Sequence, residues 1–354
     1  MRLCMRNRLG PLWQGRTRAL AVALVTALLA GTASAGAPDQ VTNIFKPLST
    51  PAESISEVAW LTLAVCAGIF LIVGGLLVYT IIRFRRRAPD DGAEPPQIYG
   101  SNQLELAWTV LPILIVLVLV LVTARTIADV QSHPAPPDAL HVTVVGHQWW
   151  WEIRYPALGL VTANELHVPV STTARRQLTF LRLESADVAH SFWVPQLAGK
   201  TDLIPNRTNR MWIEPKQVGT YLGNCAEYCG TQHARMLLRV IVHEPDDFAR
   251  WVAAQQQHGV AEAQVHAGRD VFFATSCVNC HTISGTTAQG KFGPDLTHLM
   301  SRDTLAAGAA PNTPATLRAW VRNPHTLKEG SLMPSMQLSD TELDQIVAYL
   351  LTLK

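Results

Sequence analysis

Two short stretches hold most of the groups that could do chemistry. The first, "NCAEYCGTQHARM" (Asn224–Met236), sets Cys225, Cys229, His233 and Met236 at offsets 0, 4, 8 and 11. Thiolate, imidazole and a weak thioether are the donors of soft copper sites. A spacing of four in a tight loop can aim both sulfurs into one pocket. Zinc takes thiolates and imidazoles without a methionine, typically from closer cysteine pairs. A disulfide needs neither His233 nor Met236. A further histidine has to come from another loop. His190 in "ADVAHSFWVP" is the candidate, flanked by aromatic residues and proline that keep a site dry.

The second stretch is "CVNCH", Cys277, Cys280 and His281. C-x-x-C-H attaches c-type haem: both thiols add to the vinyl groups and the histidine binds iron from one face. A thioredoxin-like reading of C-x-x-C requires a βαβ setting, and the surroundings here read as helical. "AGRDVFFATSC" is a helix running into the motif. "GPDL" follows, with Pro294 placed to brace His281. "GSLMPSM" offers Met333, directly before Pro334, for the opposite iron face, with Met336 as rival. His298 and His325 read as ordinary surface or loop histidines. Ser339 and Glu342 form a capping box ahead of Leu343, Ile346, Val347 and Leu350, the i, i+3, i+4, i+7 stripe of a half-buried helix.

Which compartment holds these groups follows from the N-terminal third. Of the 354 residues, 48% are hydrophobic, and the excess sits in three runs. Ala19–Ala30 follows five arginines with no acid and precedes "GTASAG", the pattern of a cleaved secretory signal over residues 1–35. Cys4 lies before that run and is no lipoprotein anchor. Residues 58–82 and 106–124 are long enough to span a bilayer, with "RFRRR" between them. The positive-inside rule puts that basic loop in the cytoplasm, so everything from about Arg125 lies outside. Cys66 falls inside the first span and reads as a small buried apolar residue. Losing the leader removes five arginines and changes the formal charge from +2 to −3, which gives no reason to expect nucleic acid as a partner.

"QSHPAPPDAL" is a proline-rich break after the second span. From Leu140 to about Glu244 the texture is β, with "HVTVVGHQWWWEIRY" rich in β-branched and aromatic residues. Several short strands at close spacing suggest a sandwich or barrel. "DDFARWVAAQQQHGVAEAQ" then reads as a polar linker helix. The expected division is 1–35 signal peptide, 36–130 transmembrane hairpin, 131–245 β domain, 246–261 linker and 262–354 haem domain.

"GHQWWWEIRYP", "DVAHSFWVPQLAGKTDLIPNR" and "CAEYCGTQHARM" resemble the three signature stretches of cytochrome c oxidase subunit II, and "LELAWTVLP" resembles the opening of that family's second span. Residues 262–354 resemble the small class I cytochrome c fold, in which the first and last helices cross, here Gly268 against Tyr349. The resemblance implies a membrane-anchored multidomain fold: a two-helix transmembrane hairpin, a cupredoxin-like β-barrel and an all-α class I cytochrome c domain. It implies a dinuclear copper centre, CuA, with Cys225 and Cys229 bridging two coppers and one copper each held by His190 and His233. Met236 and the backbone carbonyl of Glu227 would be the weak ligands. The Glu227 side chain would hold an interface magnesium, a hard ion suited to carboxylate oxygen. Trp149 would be the electron entry where the donor docks or, with the fused haem taking over docking, an internal route from haem to CuA; Trp150 follows where the family usually has tyrosine. Glu105 would sit at a proton-path entry.

The implied activity is that of the electron-input subunit of a respiratory terminal oxidase. Haem c receives electrons, CuA passes them to haem a of subunit I, and dioxygen is reduced to water there with proton pumping. The chain lacks the membrane histidines that a haem a or copper B site requires. Implied partners are subunits I and III, membrane lipid, and as donor a soluble or membrane cytochrome c or a quinol-cytochrome c reductase. The implied location is a bacterial inner membrane, with both terminal domains periplasmic. Two alternatives share these ligands: the input subunit of a CuA-containing nitric oxide reductase, and a membrane-tethered electron carrier without a catalytic partner. Glu105 and Glu227, useful only beside subunit I, argue against the carrier.

Overall fold

The computed structural model describes residues 42–85, 97, 99–131, 134–259 and 265–354, which belong to one compact unit, Val41–Lys354. The leader with Cys4, most of the basic loop after Arg85 and the last linker residues fall outside this description.

Two long helices come first, α1 (Thr50–Arg83) and α2 (Asn102–Gln131). Their apolar side chains, such as Phe70, Leu71, Leu111 and Leu121, are exposed all round, as expected where hydrocarbon rather than protein is the neighbour. Cys66 lies on this open surface and not in a protein core, because a helix facing lipid buries nothing against its own chain. The helices run past the apolar spans. The first two turns of α1 leave the membrane stretch and bury Pro51, Ala52 and Ser56. They are fastened there by Thr50 Oγ1 donating to Glu214 Oε2 at 2.6 Å and Glu214 N to Ser49 Oγ at 2.9 Å. Near the end of α2, Trp212 Nε1 donates to Val130 O at 2.7 Å. Both outer ends of the hairpin are thus pinned to the domain above it.

That domain has ten strands: β1 (Leu140–His147), β2 (Trp150–Tyr155), β3 (Leu160–Ala163), β4 (Glu165–Pro169), β5 (Thr179–Ser185), β6 (His190–Trp193), β7 (Thr201–Leu203), β8 (Asn209–Ile213), β9 (Gly219–Cys225) and β10 (Leu237–His243). They form two five-stranded sheets, ordered β3-β2-β1-β5-β8 and β4-β10-β9-β6-β7. Burial alternates along β10 at every second residue, the period that puts one face on a core. The core holds Trp151, Ile153, Leu166, Leu183, Phe192 and Val240. Cys225, Cys229 and Met236 belong to the same core.

Helix α3 (Pro245–Gln255) follows. Its polar composition reads as a linker helix, and Trp251 docks it to the barrel. The indole stacks on His167 with ring centres 4.2 Å apart and meets Tyr155 edge-on at 5.4 Å. His167 Nδ1 also hydrogen-bonds His243 Nε2 at 2.8 Å.

The last domain contains α4 (His266–Ala274), the single turn α5 (Cys277–Cys280), a two-residue ladder of β11 (Thr304–Leu305) and β12 (Ala310–Pro311), α6 (Pro314–Arg322) and α7 (Asp340–Leu350). The Ser339–Glu342 capping box is present, and Leu343, Ile346, Val347 and Leu350 are buried. Helices α4 and α7 cross at Gly268, where a Cβ would lie 1.9 Å from Gln345 O and 3.0 Å from Tyr349 Cβ. His325 is exposed as expected. His298 is not a surface residue: it is buried, with Nδ1 on Lys354 O at 2.7 Å and Nε2 against Gln255 O at 3.0 Å and Gln257 O at 3.1 Å. It ties the chain end to the segment leaving α3.

Gly268→Val should lower the stability of the haem domain by about 2 kcal/mol or more, since overpacking a closed crossing typically costs 1–3 kcal/mol. Thermal unfolding followed in the haem region is the check, and an unchanged midpoint would contradict the crossing. A second expectation concerns pH. Burial, then the neighbouring His243, depresses His167 to about 3 from the usual 6.5. The unfolded chain therefore binds a proton below about pH 6.5 that the folded chain refuses. Stability falls as pH drops from 6.5 toward 3, by about 1.4 kcal/mol per unit for this group. Denaturant unfolding at pH 6.5 and 5 should differ by about 2 kcal/mol from this source, and His167→Phe should remove that share of the slope.

Candidate metal centres

The stretch between β9 and β10 is closed at its neck. Cys225 N donates to Met236 O at 3.0 Å, and Ala226 N to Ser191 O at 3.0 Å. Gly230 turns the chain back with φ +112, and a Cβ there would lie 3.1 Å from both Gln148 and Trp149. A 3-10 turn, His233–Arg235, then brings the histidine inward. Sheet register and glycine geometry therefore fold the cysteine spacing onto itself.

The result is a tight sulfur and nitrogen cluster. Cys225 Sγ lies 3.8 Å from Cys229 Sγ, 3.9 Å from His190 Nδ1 and 3.1 Å from Glu227 O. Cys229 Sγ lies 3.7 Å from His233 Nδ1 and 3.8 Å from Met236 Sδ. The sulfurs are far beyond a disulfide bond of about 2.05 Å. Ligand atoms of His190, Cys225 and Cys229 fall within 4.8 Å of one another, all buried. Every group expected at the copper centre is brought together, and the set of two thiols, two imidazoles, a thioether and a carbonyl fits a soft metal.

Neighbours aim the ligands. His190 enters at the start of β6 with no exposure. Its Nε2 meets Asp187 Oδ1 at 2.8 Å, which leaves Nδ1 facing Cys225, the usual way a carboxylate fixes a ligating imidazole. Gly146 makes room, since a Cβ there would sit 2.7 Å from the His190 ring. Burial works against charging His190, but the hydrogen bonds from Asp187 and Cys225 outweigh it and raise its pKa. The cysteines titrate as a pair. The hydrogen bond from Cys229 holds Cys225 down at about 3, and the same contact with burial pushes Cys229 up. Asp187, Gly146 and Gln148 were not singled out by sequence reasoning. Asp187 carried a signal, an acid three residues before a candidate ligand.

The second centre forms around α5. His281 follows it with extended backbone, φ −113 and ψ 145. Its Nδ1 meets Pro294 O at 2.8 Å, and Gly293 leaves space that a Cβ would close to 2.6 Å from the ring. Burial lowers the pKa of His281, which keeps it neutral with its Nε2 lone pair free. One cavity is lined by Cys277, Cys280, His281, Met333 and Met336, and from the β domain by Trp149 and Trp150. The shape and donor set suit a covalently attached haem. Trp149 does not face open solvent as an outer docking residue would. It lines this cavity, and its Nε1 donates to Cys229 O at 2.9 Å. Trp150 stacks on His147 at 4.3 Å. Glu227 has a half-buried side chain, and Glu105 is exposed in the first turn of α2, apart from both centres.

Comparison with known proteins agrees in order and extent. The cytochrome C oxidase subunit II transmembrane domain matches residues 38–125, its periplasmic domain residues 140–243, and cytochrome c residues 265–354. Cytochrome c oxidase subunit 2 of Alkalihalophilus pseudofirmus is 32% identical over 97% of this chain and 98% of its own length. That of Bacillus subtilis is 30% identical over 95% and 97%. A solved periplasmic domain of subunit II from Bradyrhizobium japonicum, 29% identical, covers 35% of this chain and 96% of that one, with a TM-score of 0.32. Hairpin, sulfur-lined β domain and C-x-x-C-H domain occur here in one membrane-anchored chain, which belongs to the cytochrome c oxidase subunit II family in the form that carries a cytochrome c domain at its C-terminal end.

Proposed function

We propose that this chain is the electron-input subunit of a respiratory terminal oxidase, passing electrons from haem c through CuA to haem a of subunit I, where dioxygen is reduced and protons are pumped. The observation that carries this reading is Trp149. One side chain lines the cavity of Cys277, Cys280, His281 and Met333 and hydrogen-bonds the backbone of Cys229. The two centres are neighbours, joined by one indole.

Bound at these sites, haem and copper supply one-electron chemistry, and the protein supplies their surroundings. Cys277 and Cys280 would hold the porphyrin by thioether bonds. His281, oriented by Pro294, would bind iron on one face and Met333 on the other, with Met336 as the rival. A His/Met pair raises the haem potential. Cys225, Cys229, His190, His233, Met236 and the Glu227 carbonyl would cage the coppers. Because three of these residues belong to the barrel core, their geometry hardly changes when charge does, which suits a relay. The remaining assignments rest on family position and chemistry. The Glu227 carboxylate offers hard oxygen to an interface magnesium. Glu105, at the membrane edge of α2, offers a carboxylate at a proton path into subunit I. The donor is a cytochrome c or a quinol-cytochrome c reductase, and the setting a bacterial inner membrane.

Cys225→Ser should leave haem c attached and abolish the near-infrared copper band. Oxidase turnover with reduced cytochrome c should fall on the order of a hundredfold, at the upper end of losses seen when metal surroundings are damaged. Normal turnover in that variant would refute the relay order. Met333→Leu should remove the weak methionine-to-iron absorption, and its survival would move the ligand to Met336.

A further inference from the structure

Lys328 is the least expected residue of the cytochrome domain. Its loop bears Gly330 and Ser331, where a lysine normally points into water. Instead it is 3% exposed. Its Nζ donates to Trp149 O at 2.7 Å, to Arg235 O at 3.0 Å and to Ala306 O at 3.1 Å. An ammonium has three protons, and all three are used. None of the acceptors is an acid. Two belong to the β domain: one on the residue that joins the two cavities, one inside the turn between His233 and Met236. The third belongs to the cytochrome.

The surrounding seam is built to the same end. Ala306 and Ala307 adopt left-handed backbone, φ +54 and +58, a conformation that alanine rarely takes. In it Ala306 O meets Lys328 while Ala307 O accepts from Leu237 N at 3.0 Å. A buried carboxyl comes from the other side. Glu165 on β4, 1% exposed, accepts with Oε1 from Asp303 N at 2.9 Å, Thr304 N at 3.1 Å and Thr304 Oγ1 at 3.2 Å. Arg235 Nη1 donates to Leu327 O at 2.7 Å, and Gln232 Nε2 to Glu329 O. Burial pulls Lys328 down to about 7. The three carbonyls oppose that, because only the charged amine has a third proton to give.

We propose that Lys328 is a positioning residue for electron transfer between the two centres, clamping the cytochrome onto the Trp149 segment and the His233–Met236 turn. The proposal rests on the electron-input reading above. In the step it serves, one electron leaves the reduced haem, which is oxidised, and enters the copper pair, which is reduced, with no bond made or broken. Lys328 is among the residues lining the haem cavity, but its Nζ is spent on the three carbonyls and it supplies no ligand to either metal. It fixes the arrangement of the two domains at their seam.

The test uses the full chain in its assembled oxidase, comparing wild type with Lys328→Met. Hydrogen exchange at the amides of Leu237 and Thr304, which cross the seam, should quicken by roughly tenfold or more, the factor given by about 1.4 kcal/mol of weakened docking. Exchange at Val240 and Ile346, inside each domain, should not change. Electron entry from the external donor into haem should keep its rate, while the internal haem-to-copper step slows by a similar factor. Lys328→Arg, which retains cation and donors, should recover part of both. Unchanged exchange at Leu237 and Thr304 overturns the clamp. Faster exchange with an unchanged internal rate overturns its positioning role. A wild-type chain with no haem-to-copper transfer would instead overturn the functional reading, and the exchange result would stand apart. If methionine prevents folding, Lys328→Gln, which keeps an N–H donor but not the charge, is read by the same outcomes.

Discussion

The hydrogen bond from Cys225 N to Met236 O is the constraint on which the metal centre depends. It closes the β9–β10 turn where the strands pair Asn224 with Leu237, so sheet register decides where four side chains point. A slip of one residue would turn Cys225 out of the core, because strand side chains alternate faces. The core in turn fixes the register, since Val240, Val242 and Leu238 must face inward. The apolar packing that stabilises the barrel therefore also sets the distances between sulfur and nitrogen. Binding groups placed on a mobile surface loop would have to be ordered by the metal itself. Here most of that ordering is done by folding.

In the relay proposed above, a site so deeply packed has to exchange electrons with something beyond it, and the same turn would provide the exit. Gly230 brings Cys229 O within reach of both the Gln148 amide, at 2.7 Å, and the Trp149 indole, at 2.9 Å. Gln148 N donates in turn to Asp187 Oδ2 at 2.6 Å, and the other oxygen of Asp187 orients His190. The β1–β2 connection thus serves the copper ligands on one side and the cytochrome cavity on the other. Polar groups buried here find partners within this network, which removes the penalty of an unpaired buried group and leaves little freedom to drift.

Whatever was local in sequence could be read from it. The offsets of Cys225, Cys229, His233 and Met236, the C-x-x-C-H motif, the Pro294 brace and the Ser339 cap all lie within short segments, where spacing alone limits geometry. The β texture and both spans were legible for the same reason. Hydropathy marked only the bilayer part of α1, and the helix continues into water because Pro51 and Ala52 find the barrel. His190 was legible as a ligand chiefly through family likeness, since a lone histidine between strands is ordinarily structural. Lys328, Glu165 and Gly146 gave no signal. The acceptors of Lys328 are up to 179 residues away, and composition cannot show that a lysine will meet three carbonyls. Helix α3 was legible as a polar helix, but its docking was not: its average is polar, and one residue, Trp251, decides that it packs.

The fused cytochrome raises a question of freedom. A flexible tether only raises the local concentration of one module near another, typically to millimolar, and leaves orientation open. Three features remove that freedom here. Trp251 lies flat on His167, His298 grips the carbonyls of Gln255 and Gln257, and the buried Lys328 and Glu165 each hydrogen-bond across the seam. Buried ions are weak sources of net stability, because desolvation offsets much of their attraction. Their value lies in selectivity. An apolar patch tolerates sliding, whereas an ammonium misplaced by a few ångströms leaves a desolvated charge and unpaired carbonyls. A buried amine with two of its three carbonyl partners on the far side, and a buried carboxyl met by backbone and hydroxyl donors there, penalise arrangements other than this one. For the electron transfer proposed between the two centres, that arrangement is the functional requirement.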